Sequence, residues 1–242
     1  MAKIRLDELI VRSGICRDLQ QAQRIIGAGE VSIDGRCVDK AGALYPEDAL
    51  PKVKSKCPYV SRGGYKLKGG LDKFAFDPSG MVCVDVGASS GGFTDCLLQH
   101  AASKVYAVDV AYGMLDWKLR QNPNVIVIER FNARNISKKQ IPEPIDLAVI
   151  DAAFISLTKL IPPLLPLFGN KIAIICLIKP QFELPRTMIP KGGVVKDPEH
   201  HQQAIEKIKT FACNIGLKAD RVEPSPILGP KGNIEFLLYI SN

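Results

Sequence analysis

The sequence predicts an α/β protein in which a doubly wound, mostly parallel sheet ends in an antiparallel strand and is preceded by a small α+β unit. Three observations carry that prediction. Beyond Pro78 five apolar runs of strand length alternate with helical stretches: VCVDVG (82–87), VYAVDV (105–110), VIVIERF (125–131), LAVIDAA (147–153) and IAIICLIK (172–179). That rhythm belongs to a parallel sheet covered on both faces. VEPSPI and IEFLLYIS then lie close together across LGPKGN, a spacer too short for a helical crossover, so the last two strands pair antiparallel. The stretch before residue 40 reads instead as helix, helix and hairpin.

From Ile4 to about Arg12 the residues Ile4, Leu6, Leu9 and Ile10 have helical spacing, and Gly14 follows where a helix stops. Asp18 opens a second helix with Leu19, Ala22, Ile25 and Ile26 on one face and Gly27 and Gly29 at its end. In VSIDGRCV, Asp34-Gly35 sits between alternating segments, the signal for a hairpin with a type I′ turn. Pro46 and Pro51 break structure, and PKVKSKCPYVSRGGYK reads as a basic connection, floppy over Lys52 to Lys56. It places a domain boundary near residues 55–60 and divides the chain into 1–58 and 59–242. Gly63-Gly64 allows close backbone approach, and Leu67 and Leu71, four apart, predict a helix starting there.

Of the 242 residues 46% are hydrophobic and 24% charged, which supplies a packed core and argues against disorder. The formal net charge of +7 points toward an anionic partner such as nucleic acid. Seven cysteines without a C-x-x-C pair read as reduced thiols of a cytosolic protein. Charges interrupt every apolar run of MAKIRLDELIVRSG, so the start is neither a signal peptide nor a membrane helix. The longest apolar run, Ile172 to Ile178, is far short of the ~20 residues that span a bilayer.

The loop after the first strand of the sheet, DVGASSGGFTDCLLQ (85–99), is rich in glycine. Its spacing is neither the dinucleotide G-x-G-x-x-G nor the Walker pattern, yet it suits close approach to a ligand. Asp85, Gly87, Ser89, Gly91, Gly92 and Phe93 are its candidate cofactor contacts. Asp109 ends the second strand about twenty residues on, where an acidic residue meets two ribose hydroxyls. Asn132, in ERFNARN, stands where an adenine would lie. Asp85 has the alternative of fixing the loop backbone, and Asn132 of capping a turn.

Two later strands carry charge at their carboxyl ends, where sites open in such folds: Asp151 in LAVID and Lys179 in IAIICLIKP. A lone charge behind a buried run is costly, so the two are expected to pair. Glu235, in GNIEFLL, needs a lysine by the same argument, and Lys66 in SRGGYK is the candidate. His200 and His201 have no ligand at metal spacing, so no metal is expected.

The string RLDELIVRSGICRDLQQAQRIIGAGEVSIDGRCV resembles the S-four type RNA-binding domain over residues 4–50. That resemblance implies that the second helix and hairpin grip RNA, with Arg5, Arg17, Arg24 and Arg36 on phosphates, joined by Lys52, Lys54 and Arg62 of the basic connection. Each has the alternative of a solvated surface charge. The strings YVSRGGYKL, VDVGASSGGFTDCLL, DAAFISL, IKPQFE, GGVVKDP and GNIEFLL, in this order, are similar to the TlyA family, historically called hemolysin A, whose catalytic domain is of the FtsJ/RrmJ type. One departure is DAAFISL, where many relatives have a serine before the phenylalanine.

The family implies a class I, Rossmann-like methyltransferase that uses S-adenosylmethionine to methylate a ribose 2′-hydroxyl of ribosomal RNA. It implies a Lys-Asp-Lys-Glu tetrad, which falls on Lys66, Asp151, Lys179 and Glu235. Lys179 is expected to orient or deprotonate the hydroxyl beside Asp151, with Lys66 and Glu235 fixing the ribose. The resemblance points to a cytidine; where the chain begins and ends favours the shorter subtype, which acts on the large subunit. The rival readings are a non-catalytic RNA-binding protein on a methyltransferase scaffold and, from the family's older name, a cytolysin.

Overall fold

The computed structural model describes residues 3–27, 29–53 and 57–242. The chain divides into two compact units, Met1–Cys57 and Pro58–Asn242. In the first, β1 (Lys3–Arg5), α1 (Leu6–Arg12), α2 (Leu19–Gly27), β2 (Val31–Ile33), β3 (Arg36–Val38), β4 (Leu44–Pro46) and β5 (Lys52–Val53) follow in order. Leu6, Ile10, Ala22, Ile26, Val31 and Ile33 form its core. Asp34 and Gly35 have φ of 49° and 76°, the two positive values that a type I′ turn requires.

Two local expectations give way to pairings that periodicity does not register. The first helix starts at Leu6 and not Ile4, because Lys3–Arg5 pairs antiparallel with Leu44–Pro46. Lys52 belongs to a strand and not to the connection, since Lys52 and Val53 lie opposite Ser32 and Val31. Lys54 and the rest of the connection to residue 56 lie outside the described residues.

The second unit comprises α3 (Gly63–Phe74), β6 (Val82–Val86), α4 (Gly92–Gln99), β7 (Lys104–Val108), α5 (Trp117–Arg120), β8 (Val125–Ile128), β9 (Leu147–Ile150), α6 (Ile161–Leu164), β10 (Ala173–Ile178), α7 (Pro180–Glu183), α8 (Pro198–Asn214), β11 (Lys218–Pro224) and β12 (Phe236–Ser241). Its strands form one seven-stranded sheet in the order β11-β12-β10-β9-β6-β7-β8. Every pairing is parallel except the two made by β12. All residues of β9 and β10 are buried, which accounts for their unbroken apolar runs.

The sheet order also places the site. The chain runs outward from β6 to β7 and β8, then returns to lay β9 on the other side of β6. A crevice opens at such a reversal, beyond the carboxyl ends of the strands. The glycine loop after β6, Asp151 after β9 and Lys179 after β10 are therefore neighbours.

Candidate active site

Four charges predicted from separate parts of the sequence meet at this crevice. The Lys66 Nζ lies 2.6 Å from Glu235 Oε2 and 3.9 Å from Asp151 Oδ2, and Lys179 Nζ lies 2.5 Å from Asp151 Oδ1. The order Glu235, Lys66, Asp151, Lys179 alternates in sign. Lys66, Lys179 and Glu235 are buried, and alternation is what makes burying four charges tolerable, because each has an opposite neighbour. Lys66 donates to Glu235 in a well-formed hydrogen bond. The Lys179–Asp151 contact is an ion pair without hydrogen-bond alignment.

Lys66 reaches this point because two helix starts cross with no room for side chains. A Cβ on Gly92 would stand 2.3 Å from Ser61 Oγ and 2.9 Å from the Gly64 nitrogen, and one on Gly64 would stand 2.1 Å from the Tyr59 ring. Buried Asp95 fastens the approach to the crossing, accepting from the Val60 N–H at 2.8 Å. Lys68, by contrast, pairs with Asp72 one turn along the exposed face. Glu235 is held from the other side: a Cβ on Gly229 would fall 2.1 Å from its Oε1. The GPKGN segment, which reads as a mere turn in sequence, thus forms the lip of the site.

The glycine loop and the ends of β6, β7 and β9 line a continuous groove. One part, about 650 Å³, has Lys66, Lys179, Arg62, Phe93 and Lys231 on its walls. The other, about 320 Å³, is lined by Asp109, Phe131, Asn132 and Phe154. Gly87, Ser89, Asp151 and Ala153 border both. The Asp109 carboxylate accepts from the Ser89 N–H at 2.7 Å and the Ala111 N–H at 2.8 Å, leaving each oxygen a further lone pair toward the groove. Asn132 both lines the groove and caps the turn at 133–135, accepting from the Arg134 N–H. Gly91 lies against Leu119. Gly87, with φ of 86°, lets the loop pass against the Asp151 carbonyl.

Asp85 is fully buried; its Oδ2 accepts from the Thr94 hydroxyl at 2.7 Å, and its Oδ1 has no hydrogen-bond partner among the described residues. Burial pushes its carboxyl up to about 7. A raised folded-state value contributes stability that is fully present below the unfolded value near 3.8 and is lost as pH rises through 7. Asp85→Asn cannot ionise. It is expected to melt at a higher temperature than the parent above pH 7, by a few kcal/mol at most given about 1.4 kcal/mol per pH unit, with the gain shrinking toward pH 4. Thermal melts across that range check it.

The arginines expected on RNA differ in their freedom. Arg5 is held by Asp7 through contacts of 3.0 and 2.7 Å, and that bond pulls the Asp7 carboxyl down to about 2. Arg17 pairs with neighbouring Asp18. Arg24, Arg36, Lys52 and Arg62 are exposed, the last on the groove wall. His201 is buried and donates to the Val195 carbonyl. Among the described residues no three His, Cys, Asp or Glu side chains converge as metal ligands, and no helix is long and apolar enough to cross a membrane.

Two groove features have no signature in the local sequence. Lys231 sits on the lip with φ of 58°. Phe154 is 91% exposed, with its ring 5.1 Å from that of Phe182 and φ of 62°. An aromatic left in water beside a crevice is the signal that burial reveals and periodicity does not.

The S-four (S4) domain profile matches residues 4–47, and that of the FtsJ-like methyltransferase matches residues 59–242. The 16S/23S rRNA (cytidine-2'-O)-methyltransferase TlyA of Mycobacterium tuberculosis is 42% identical, over 98% of this chain and 90% of that one. Hemolysin A of Brachyspira hyodysenteriae is 38% identical, over 98% of this chain and 99% of its own. A solved structure from Streptococcus thermophilus shares 37% identity at a TM-score of 0.77, covering 100% of this chain and 89% of that one.

Proposed function

The chain belongs to the TlyA family, an S-four domain followed by an FtsJ-like methyltransferase domain, and on that premise we propose that it transfers the methyl group of S-adenosylmethionine to the ribose 2′-hydroxyl of a cytidine in ribosomal RNA. The observation that carries the reading is the alternating line of Glu235, Lys66, Asp151 and Lys179 at the carboxyl ends of the strands.

The residues present fit the cofactor. Asp109 offers carboxylate oxygens to a ribose, Asn132 borders the space beside it, and the unpartnered Oδ1 of Asp85 gives the glycine loop a buried acceptor for a cationic ligand. Asp85, the loop from Gly87 to Phe93, Asp109 and Asn132 would hold it. When bound, it supplies a methyl group on a positively charged sulfur.

The chain's own work is to present the hydroxyl. A ribose hydroxyl is a weak nucleophile, so in-line transfer needs the oxygen positioned near the methyl and a destination for its proton. Lys179, once its ammonium has given a proton to water, contacts the oxygen and takes the hydroxyl proton, and Asp151 at 2.5 Å stabilises the ammonium that is restored. Lys66, locked by Glu235, donates to the ribose and fixes its angle. The glycine loop, Asp109 and Asn132 would hold the sulfonium cofactor so that its methyl carbon passes to the hydroxyl oxygen, leaving a neutral thioether. Arg17, Arg24, Arg36 and Lys52 of the first unit and Arg62 of the second bind phosphates of the RNA. The enzyme works in the cytoplasm, where its substrate is.

Incubation with labelled S-adenosylmethionine and purified small and large ribosomal subunits, then nuclease digestion and mass mapping, tests the reading. One 2′-O-methylcytidine is expected, and the labelled subunit identifies the target. Label on a base, or none from protein that binds the cofactor, would sink it. Lysis of erythrocytes at the same concentrations would favour the cytolysin reading.

A further inference from the structure

We propose that Glu183 is a positioning residue that locks the loop carrying Asp151 to the turn carrying Lys179 and so sets the spacing of that pair. The proposal rests on the tetrad reading above and extends it to a residue outside the tetrad.

Helix α7 follows Lys179 directly and is four residues long, too short to have stability of its own. Its last residue, Glu183, is 3% exposed. Oε1 accepts from the Leu157 N–H at 2.8 Å, and Oε2 accepts from the Ser156 hydroxyl at 2.5 Å and from Lys207 Nζ at 3.1 Å. Lys207, on α8, also donates to the Glu183 carbonyl. One buried carboxylate therefore joins the segment after Asp151, the segment after Lys179, and α8.

A buried ion pair alone says little, since an apolar replacement is often no less stable. What is specific here is where the other donors come from. Ser156 and Leu157 end the loop that Asp151 begins, and Phe154 between them holds φ at 62°, a conformation that a non-glycine residue keeps only when its surroundings impose it. The near end of the loop is held by the Asp151 N–H bonded to the Val86 carbonyl at 3.0 Å, and Glu183 holds the far end. Phe182 packs on the Phe154 ring, so α7 grips the loop at two points. With the far end released, the strain at Phe154 relaxes by moving the loop, and Asp151 shifts relative to Lys179.

The test uses the full-length protein, labelled S-adenosylmethionine and ribosomal subunits, with kcat, KM and the pH profile of kcat measured. Glu183→Ala is expected to lower kcat about 100-fold, the effect of a displacement near 1 Å, and KM for the cofactor rises with it, because the moving loop carries Phe154 on the wall of the groove beside Asp109. Its pH profile shifts, since the spacing of the charged pair has changed. Glu183→Gln keeps an oxygen for the Leu157 N–H and is expected to recover about tenfold of that loss, one hydrogen bond's worth. Ile208→Val, a core change on α8, lowers melting temperature without moving kcat or the pH profile. If Glu183→Ala tracks Ile208→Val in both readouts while Asp151→Ala is inactive, the positioning role is wrong and the tetrad stands. Full activity in Asp151→Ala would fell the tetrad reading itself. Should Glu183→Ala not fold, a parental kcat and pH profile in Glu183→Gln overturns the proposal alone.

Discussion

Lys179→Ala is expected to slow methyl transfer by about 10²–10⁴-fold, the range for removing a positioned proton-transfer group, while cofactor and ribosomal subunits bind as before. The reason is local. Lys179 sits at the end of β10 with 9% of its side chain exposed and 2.5 Å from Asp151 Oδ1, and it lines the larger part of the groove without reaching the Asp109 part. Its removal leaves Asp151 with Lys66 at 3.9 Å, so folding stability falls by about 1–3 kcal/mol, as for a buried acceptor that loses its partner. Single-turnover methylation beside cofactor binding by calorimetry separates the two effects. Lys179→Arg discriminates further, because a guanidinium donates but does not give up its proton. A parental rate in Lys179→Arg would leave orientation of the hydroxyl as the role and eliminate proton acceptance.

The parts of this molecule legible from sequence are those whose cause is local or whose cost is large. The type I′ hairpin is local: Asp34 and Gly35 are adjacent, and the turn selects them. The parallel sheet is legible because burial on both faces writes unbroken apolar runs such as β10. The pairing of Lys66 with Glu235 spans 169 residues, yet it follows from the cost of burying either charge alone. Where neither condition holds, the sequence is silent. Strand β1 is three residues whose partner lies about forty positions on, so helical spacing over Ile4 was the stronger local signal. Glu183 shows the same limit. Its donors Ser156 and Leu157 stand 27 and 26 residues earlier in irregular chain, a separation that no local spacing rule connects. The exposure of Phe154 is a statement about the space around it, which no spacing rule encodes.

The pair Lys66 and Glu235 allows stability and activity to be pulled apart. Lys66→Met removes the ammonium bonded to Glu235, whose other oxygen already has no hydrogen-bond partner among the described residues. An uncompensated charge left in the interior costs about 3–5 kcal/mol. Glu235→Leu should cost less, because Lys66 retains Asp151 at 3.9 Å. The double variant Lys66→Met with Glu235→Leu removes both charges and is expected to recover most of the stability lost by Lys66→Met, since a buried ion pair and a well-packed apolar pair are often close in energy. Methylation is expected to be lost in Lys66→Met and in the double variant, because a methionine cannot donate to a ribose oxygen, and lowered in Glu235→Leu, where Lys66 is present without the carboxylate that locks it. Lys68→Ala serves as the control: its pair with Asp72 is exposed on the helix surface, so it should change stability by about 0.5 kcal/mol or less and leave the rate intact. Denaturant midpoints and initial rates on the four proteins decide it. An active double variant would mean that the pair is architectural, and a double variant no more stable than Lys66→Met would mean that the lip at Gly229, packed against the Glu235 carboxylate, depends on that carboxylate for its shape.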